Sequence, residues 1–191
     1  SGESGDLRSS WIRASLDLAA LPYTEQELVD IKAVFSADTY LNEEASLSHF
    51  QKWASEYRLI HLATHGVLND EVQDMSILAY YTSRGALYQG GRLMLRELFS
   101  MDIAAEMVGL SACETGSGRF SRGEGLLSLA RGFSYAGTRS LLATLWRIPD
   151  GEVNKDLLPN FYLALKEGKT KSAAMRSAQL AQVNEAFTAQ L

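Results

Sequence analysis

Four short, mostly apolar runs stand out along the chain and predict buried strands. They span residues 59–64, 76–81, 106–112 and 140–146. Their length and their content of Leu, Ile, Val and Ala are typical of strands covered on both faces of a sheet. The first run ends just before His65-Gly66, and the third stops at Cys113.

Apolar residues at helical spacing mark the segments between these strands. The first predicted helix follows Thr24–Glu27, which resembles a capping box, and runs towards Phe35. Further helices are predicted over residues 47–57, 93–99, 126–136, 157–166 and 172–187. Gly137 is expected to end the helix over 126–136. Strands that alternate with helices predict an α/β fold, with a mainly parallel sheet and helices on both faces.

Charge and cysteine content then exclude several classes of protein. The 191 residues carry a formal net charge of -5, which argues against direct binding of nucleic acid. A single cysteine excludes an intrachain disulfide and is typical of the reducing cytoplasm. No apolar run approaches the roughly 18 residues that span a bilayer, and no signal peptide is recognisable. We therefore expect a cytoplasmic protein with no membrane partner.

The polar opening of the chain predicts its domain organisation. Ser1-Gly2-Glu3-Ser4-Gly5 is typical of a linker. We expect residues 1–20 to be a linker or an N-terminal expression segment, and residues 21–191 to form one domain.

Candidate chemistry lies at the ends of two predicted strands, where open α/β sheets carry their reactive groups. A thiol at Cys113 needs a base, and the imidazole of His65 is suited to that task. Backbone N–H groups of Gly66 and Cys113 could bind the oxyanion of an attacked carbonyl. Cys113 follows His65 by 48 positions. In caspases the histidine lies about 50 residues before the nucleophile.

Two segments carry a family resemblance. His61-Leu62-Ala63-Thr64-His65-Gly66 and Leu110-Ser111-Ala112-Cys113-Glu114-Thr115-Gly116 closely resemble the two signature segments of CHAT domains. These are caspase-like (clan CD) peptidase domains, often attached to tetratricopeptide repeats. Supporting matches lie at residues 122–126, 136–140 and 145–150, and the similarity runs from about residue 21 to about residue 182.

The resemblance implies a cysteine endopeptidase that cleaves a protein partner through a thioester acyl-enzyme. It implies Cys113 as nucleophile and His65, not His61, as the catalytic histidine, with no cofactor. It also implies regulation in bacterial signalling or defence, through a tetratricopeptide-repeat or sensor partner domain. The family has a strand before its first helix and another after its last. Neither is visible here, so the domain is expected to lack its terminal strands.

Other interpretations of the same residues compete with this one. A catalytically silent scaffold or interaction module with the same fold is the main alternative. A nucleotide-binding domain could use the glycine-rich loop over 116–125, but that loop lacks a Gly-Lys-Ser/Thr ending. His61 and His65 could bind zinc, but no third ligand accompanies them. No metal site is therefore predicted, and His61 is interpreted as a core histidine.

Substrate specificity is predicted to depend on the exit of the strand at 140–146. Trp146 is either a core residue or a wall of the substrate pocket. Asp150 in the pocket would favour Lys or Arg before the scissile bond through a charge-assisted hydrogen bond. Arg147 would instead favour an acidic residue, and an Arg147–Asp150 ion pair would leave neither to bind substrate.

Overall fold

One mixed sheet organises the part of the chain around the candidate residues. The computed structural model describes residues 21, 24–67, 76–80, 91–114, 124–144 and 156–188. Within these ranges the strands are β1 (Leu59–Val67), β2 (Ile77–Ala79), β3 (Arg92–Met94), β4 (Met107–Glu114) and β5 (Leu141–Ala143). The helices are α1 (Thr24–Val34), α2 (Leu47–Trp53), α3 (Leu95–Leu98), α4 (Glu124–Tyr135), α5 (Leu157–Lys166) and α6 (Lys171–Thr188). Short 3₁₀ turns span Asn42–Glu44 and Ala54–Glu56.

The strand order is β3-β2-β1-β4-β5. β4 pairs in parallel with both β1 and β5, while β2 pairs antiparallel with β1 and with β3. The predicted α/β class with a mostly parallel core is confirmed. The antiparallel edge formed by β2 and β3 is a feature that the hydrophobic pattern did not predict.

The prediction of a helix over residues 93–99 is wrong for its first two residues, which belong to a strand. Leu93 lies in β3, where it pairs with Leu78 of β2, and only the single turn of α3 follows. Leu93, Leu95 and Leu98 are all buried. A short apolar run of this kind is compatible with a helix or a strand, and pairing with a neighbouring strand decides between the two.

The register of the two central strands begins at their amino ends. The backbone N–H of Glu106 donates to the carbonyl of Arg58 over 2.7 Å. The Arg58 guanidinium also contacts the Glu106 carboxylate, with Nη2 to Oε1 at 2.8 Å. That ion pair is exposed, so it contributes at most about 1 kcal/mol. The eight consecutive pairs from Leu59–Met107 to Gly66–Glu114 therefore do most to hold the register.

Hydrogen bonds also hold the amino end of β5 against the amino end of β4. Val108 N–H donates to the Ser140 carbonyl over 3.0 Å, and the Ser140 hydroxyl donates to the Glu106 carbonyl over 2.7 Å. Arg139 N–H donates to the Ala105 carbonyl over 3.0 Å. Backbone groups that would otherwise be orphaned between α4 and β5 are thereby satisfied.

The main core lies against one face of this sheet. Alternate residues of the central strands join it, such as Val108 and Leu110 in β4 and the less buried Ile60 and Leu62 in β1. α2 contributes Leu47 and Phe50, and other core members are Leu78, Tyr80, Leu93, Leu95, Leu98, Leu129 and Phe133. Because side chains alternate along a strand, odd-numbered positions of β1, including 61 and 65, belong to the opposite face.

α4 packs on α3 and ends as the sequence predicts. Gly132 allows the close approach, since a Cβ there would lie 2.6 Å from Cδ1 of Leu95. Gly137 follows the helix with φ of +95°, a left-handed conformation in which glycine avoids the steric cost of a Cβ. The N–H of Thr138 donates to the carbonyl of Phe133, which closes the helix end.

The chain divides into two compact units, one of residues 1–19 and 41–147 and one of residues 20–40 and 148–191. In the second, α1 packs with α5 and α5 with α6. Phe35 meets Tyr162 edge-on at 6.0 Å between ring centroids. Lys166 Nζ donates to the carbonyl of Val34 at the end of α1, where a cation also offsets the helix dipole.

Candidate active site

His65 and Cys113 occupy the same rung of the central ladder. Their Cα atoms are partners in the parallel pairing of β1 with β4. Hydrogen-bonded neighbouring strands lie about 4.8 Å apart, so the two backbone positions are as close as the sheet allows. His65 is buried, with 9% of its surface exposed. The structure therefore brings together the two residues that the sequence singled out for nucleophilic chemistry.

Both strands extend further than the hydrophobic pattern predicted. β1 was expected to end at Thr64, but it continues to Val67, because Gly66 and Val67 pair with Leu78 and Ile77 of β2. β4 includes Cys113 and ends at Glu114, which pairs with Gly66. The candidate residues thus lie in the last rungs of the ladder rather than in the loops beyond it.

Gly66 lies one position before the end of β1 and is buried. It pairs with Leu78 on one side and Glu114 on the other. A side chain at this position would stand on the face opposite to that of His65. The expected backbone donors, at positions 66 and 113, are therefore on adjacent strands at the same end of the sheet.

Thr64 makes a contact beside His65 that sequence reasoning missed. Its hydroxyl Oγ1 donates to the backbone carbonyl of Ala79 in β2. The β1–β2 ladder consists of the Gly66–Leu78 and Val67–Ile77 pairs, so this side-chain bond holds the strands together just past the ladder. No sequence signal could have found it, because it depends on which strand neighbours β1.

Tyr80 directly follows β2 and lies in the main core. Its ring packs on Phe50 with centroids 5.4 Å apart. The hydroxyl is buried, and it has no hydrogen-bond partner among the residues that the structure describes. Burial raises the pKa of Tyr80 far above its ordinary value of 10.0, because the phenolate would be desolvated.

His61 lies on the same strand as His65 but on a different rung. Its partner in β4 is Gly109, four positions before Cys113. At about 3.3 Å per residue, the backbone of His61 is about 13 Å from the rung of Cys113. The geometry separates the two histidines clearly, although both occupy the same face of β1.

Several predicted site residues lie outside the described residues. They are Trp146, Arg147 and Asp150, together with residues 116–123 of the glycine-rich loop. The last pair between β5 and β4 is Leu110–Ala143, and the described range that contains β5 runs to Thr144. The specificity predictions for Trp146 and Asp150 remain predictions.

The described ranges contain neither a cluster of metal ligands nor a helix that could span a membrane. No three His, Cys, Asp or Glu side chains in them lie close enough together to hold a metal ion. None of the helices in them is both long and apolar enough to cross a bilayer.

The mixed sheet, with His65 and Cys113 on one rung of its parallel core, is consistent with a caspase-like α/β fold. The chain belongs to the CHAT domain family, whose model matches residues 7–188. The resemblance drawn from the His61–Gly66 and Leu110–Gly116 segments is thereby confirmed. No curated protein and no solved structure matches the chain.

Proposed function

We propose that this chain is a cysteine endopeptidase that cleaves a protein partner with Cys113 as nucleophile and His65 as base. The observation that carries the proposal is the strand register, in which positions 65 and 113 share one rung. Paired positions of neighbouring strands fall on the same face of a sheet, so an imidazole and a thiol at these positions can meet. Membership of a caspase-like, peptidase-related family supports the same reaction class.

The reaction would proceed in two halves. Imidazole nitrogen of His65 takes the thiol proton while Sγ of Cys113 bonds to the substrate carbonyl carbon. The tetrahedral oxyanion accepts hydrogen bonds from the backbone N–H groups of Gly66 and Cys113. When the carbon–nitrogen bond breaks, the leaving amine takes the proton from His65 and a thioester remains. Water then attacks the thioester, His65 accepts its proton, and the acid product leaves as the thiol is restored.

The register favours His65 over His61 as the base. A general base must reach hydrogen-bond distance of the proton that it abstracts, directly or through one water. His61 pairs with Gly109, about 13 Å along the strand from the rung of Cys113. An imidazole side chain cannot span that separation.

Burial of His65 also fits this chemistry. With only 9% of its surface exposed, His65 is largely shielded from bulk water. Electrostatic attraction between an imidazolium and a thiolate is stronger where water is excluded. No metal or other cofactor takes part in the proposed steps.

We further propose that the enzyme works in the cytoplasm within a bacterial signalling or defence pathway. Its partners would be a protein substrate and a tetratricopeptide-repeat or sensor domain that controls it. The tendency of this family to be joined to such repeats supports the second partner.

The test is covalent labelling of the intact protein. Peptidyl acyloxymethyl-ketone probes with Asp, Leu, Lys or Arg next to the warhead are incubated with wild type and with Cys113→Ala, and the mass increase is measured. We expect at least one probe to label wild type and none to label Cys113→Ala. Because the chain has a single cysteine, the site of a thioether adduct is unambiguous.

Iodoacetamide serves as the control for accessibility of the thiol. If iodoacetamide modifies Cys113 while every peptidyl probe fails, the thiol is exposed but does not act as a peptidase nucleophile. That result would overturn the proposal and favour the catalytically silent scaffold.

A further inference from the structure

The outward face of α4 is unusual for a surface helix. Residues that point away from the core at helical spacing are Leu127, Arg131 and Tyr135, each one turn from the next. Tyr135 is 78% exposed and Leu127 is 54% exposed. Solvent-facing stripes usually consist of polar residues, whereas here a large aromatic and a large aliphatic side chain flank one arginine.

Phe99 extends this stripe beyond α4. It directly follows α3 and is 46% exposed. Its ring meets that of Tyr135 edge-on, with centroids 5.3 Å apart. Arg96 is exposed and precedes Phe99 by three positions, which places it on the same side of that turn. We call these five residues, Arg96, Phe99, Leu127, Arg131 and Tyr135, the α3–α4 face.

The charges on the α3–α4 face have one sign. Neither Arg96 nor Arg131 forms an ion pair with any residue that the structure describes. The carboxylate of Glu97 on α3 accepts the backbone N–H of Met94 over 2.7 Å and is thereby engaged at the helix start. Two arginines without an ion-pair partner among the described residues thus accompany the exposed rings of Phe99 and Tyr135, in a chain whose net charge is -5.

We propose that the α3–α4 face is a docking surface for an acidic peptide segment of a partner protein. Apolar side chains of the segment would cover the rings of Phe99 and Tyr135, and its carboxylates would bind Arg96 and Arg131. Tyr and Arg are the residue types that most often dominate binding energy at interfaces. Arginine–carboxylate pairs add directional, charge-assisted hydrogen bonds.

Charge complementarity favours an acidic partner over a second copy of this chain. A symmetric homodimer through this face would bring the same surface of both copies together. It would therefore place Arg96 and Arg131 of one copy near those of the other, where like charges repel. The docking proposal does not depend on the peptidase activity, because none of its residues belongs to the candidate active site.

The experiment is a selection of random 12-residue peptides displayed on phage, with the intact protein as bait. The most enriched peptides are then synthesised with a fluorophore, and their affinity is measured by fluorescence anisotropy. We expect the enriched pool to combine Asp or Glu with Phe, Leu or Trp. Binding should weaken at least tenfold in Arg131→Glu and in Tyr135→Ser, and it should weaken as salt is raised.

Arg176→Glu is the matched control, since Arg176 is an exposed arginine on α6. It should leave the affinity unchanged. A peptide in which Lys replaces each Asp and Glu should bind Arg131→Glu better than it binds wild type. This charge reversal tests the face even if Tyr135→Ser fails to fold.

Three results would each overturn the proposal. One is an enriched pool without acidic residues, or one that binds wild type and Arg131→Glu equally well. Another is a concentration-dependent dimer in sedimentation that Tyr135→Ser abolishes, which would make a second copy the occupant. The third is binding to phosphatidylserine vesicles that is lost in Arg131→Glu, with no acidic peptide selected.

Discussion

His65 and Cys113 are Cα partners in the parallel pairing of β1 with β4, one rung before that ladder ends at Gly66–Glu114. The proposed peptidase chemistry depends on this pairing, because it places the histidine and the cysteine on neighbouring strands side by side. Leu59 pairs with Met107 at the other end of the ladder. His65 and Cys113 lie equally far along their strands from this first pair, so they pair with each other. A slip of the register by one residue would move position 113 to the opposite face relative to position 65.

The two histidines of β1 should differ sharply in function. His65→Gln should slow labelling by the best peptidyl probe by about 100-fold or more, the contribution typical of a general base. His61→Gln should keep the labelling rate within a few-fold of wild type, since His61 pairs with Gly109 and lies too far along the strand from Cys113 to act as its base. Labelling kinetics by mass spectrometry compare the two. Equal rates for His65→Gln and wild type would remove His65 from the dyad.

Thr64 should stabilise the strand that carries His65. Thr64→Val keeps the shape of the side chain but removes the hydroxyl that donates to the Ala79 carbonyl. We expect a loss of about 1 kcal/mol in the free energy of unfolding, measured in urea. Thr64→Ser, which keeps the donor, should lose less than half of that. If the serine variant is as destabilised as the valine variant, the hydrogen bond is not the cause.

Tyr80 should make the protein less stable in alkali. Burial raises the pKa of Tyr80 in the folded state, while an unfolded chain ionises near the ordinary value of 10.0. Its contribution to stability is therefore complete below about pH 10 and is lost as the pH rises further, by about 1.4 kcal/mol per pH unit. Tyr80→Phe should make this loss shallower. At pH 8 it should leave stability unchanged or raise it, because no described residue bonds the hydroxyl.

Urea unfolding at several pH values between 8 and 11 measures both effects. Burial, with a smaller contribution from the negative charge of Glu27, also raises the pKa of Tyr162, so some alkaline loss should remain in Tyr80→Phe. Tyr135→Phe is the control at pH 8, since Tyr135 is exposed and its hydroxyl loss should not change stability. If the free energy of unfolding falls as steeply with pH in Tyr80→Phe as in wild type, ionisation of Tyr80 is not a cause of the alkaline loss.

Specificity should depend on Asp150 if that residue borders the substrate pocket. Asp150→Ala would then lose labelling by Lys and Arg probes, while iodoacetamide still modifies Cys113 at the wild-type rate. Arg147→Ala is the matched variant, and it would lose labelling by the Asp probe if Arg147 binds substrate instead. If every probe still labels both variants, neither side chain contacts the substrate residue before the scissile bond.

Chelation should not affect the chemistry. The proposed dyad uses a thiol and an imidazole in nucleophile and base roles, which need no metal. Incubation with EDTA is expected to leave the labelling rate of wild type unchanged. Loss of labelling that returns on adding back a divalent cation would show that a metal is required.

The amino-acid sequence by itself determined the fold class and the candidate residues. Apolar runs of strand length alternating with helical spacing were enough to predict an α/β fold. His65 and Cys113 could be found because each follows such a run, and residues that end parallel strands meet at one edge. These signals are local, since the spacing of apolar residues reflects the period of the element that they form.

Only the tertiary structure decided the register and the partners of each strand. The run at Leu93 became a strand because Leu78 lies beside it, and β1 reached Val67 because β2 pairs with its end. The Thr64–Ala79 hydrogen bond and the Phe99–Tyr135 contact likewise join segments that are distant in sequence. Such contacts depend on which elements pack together, and a local pattern of apolar and polar residues is compatible with several partners.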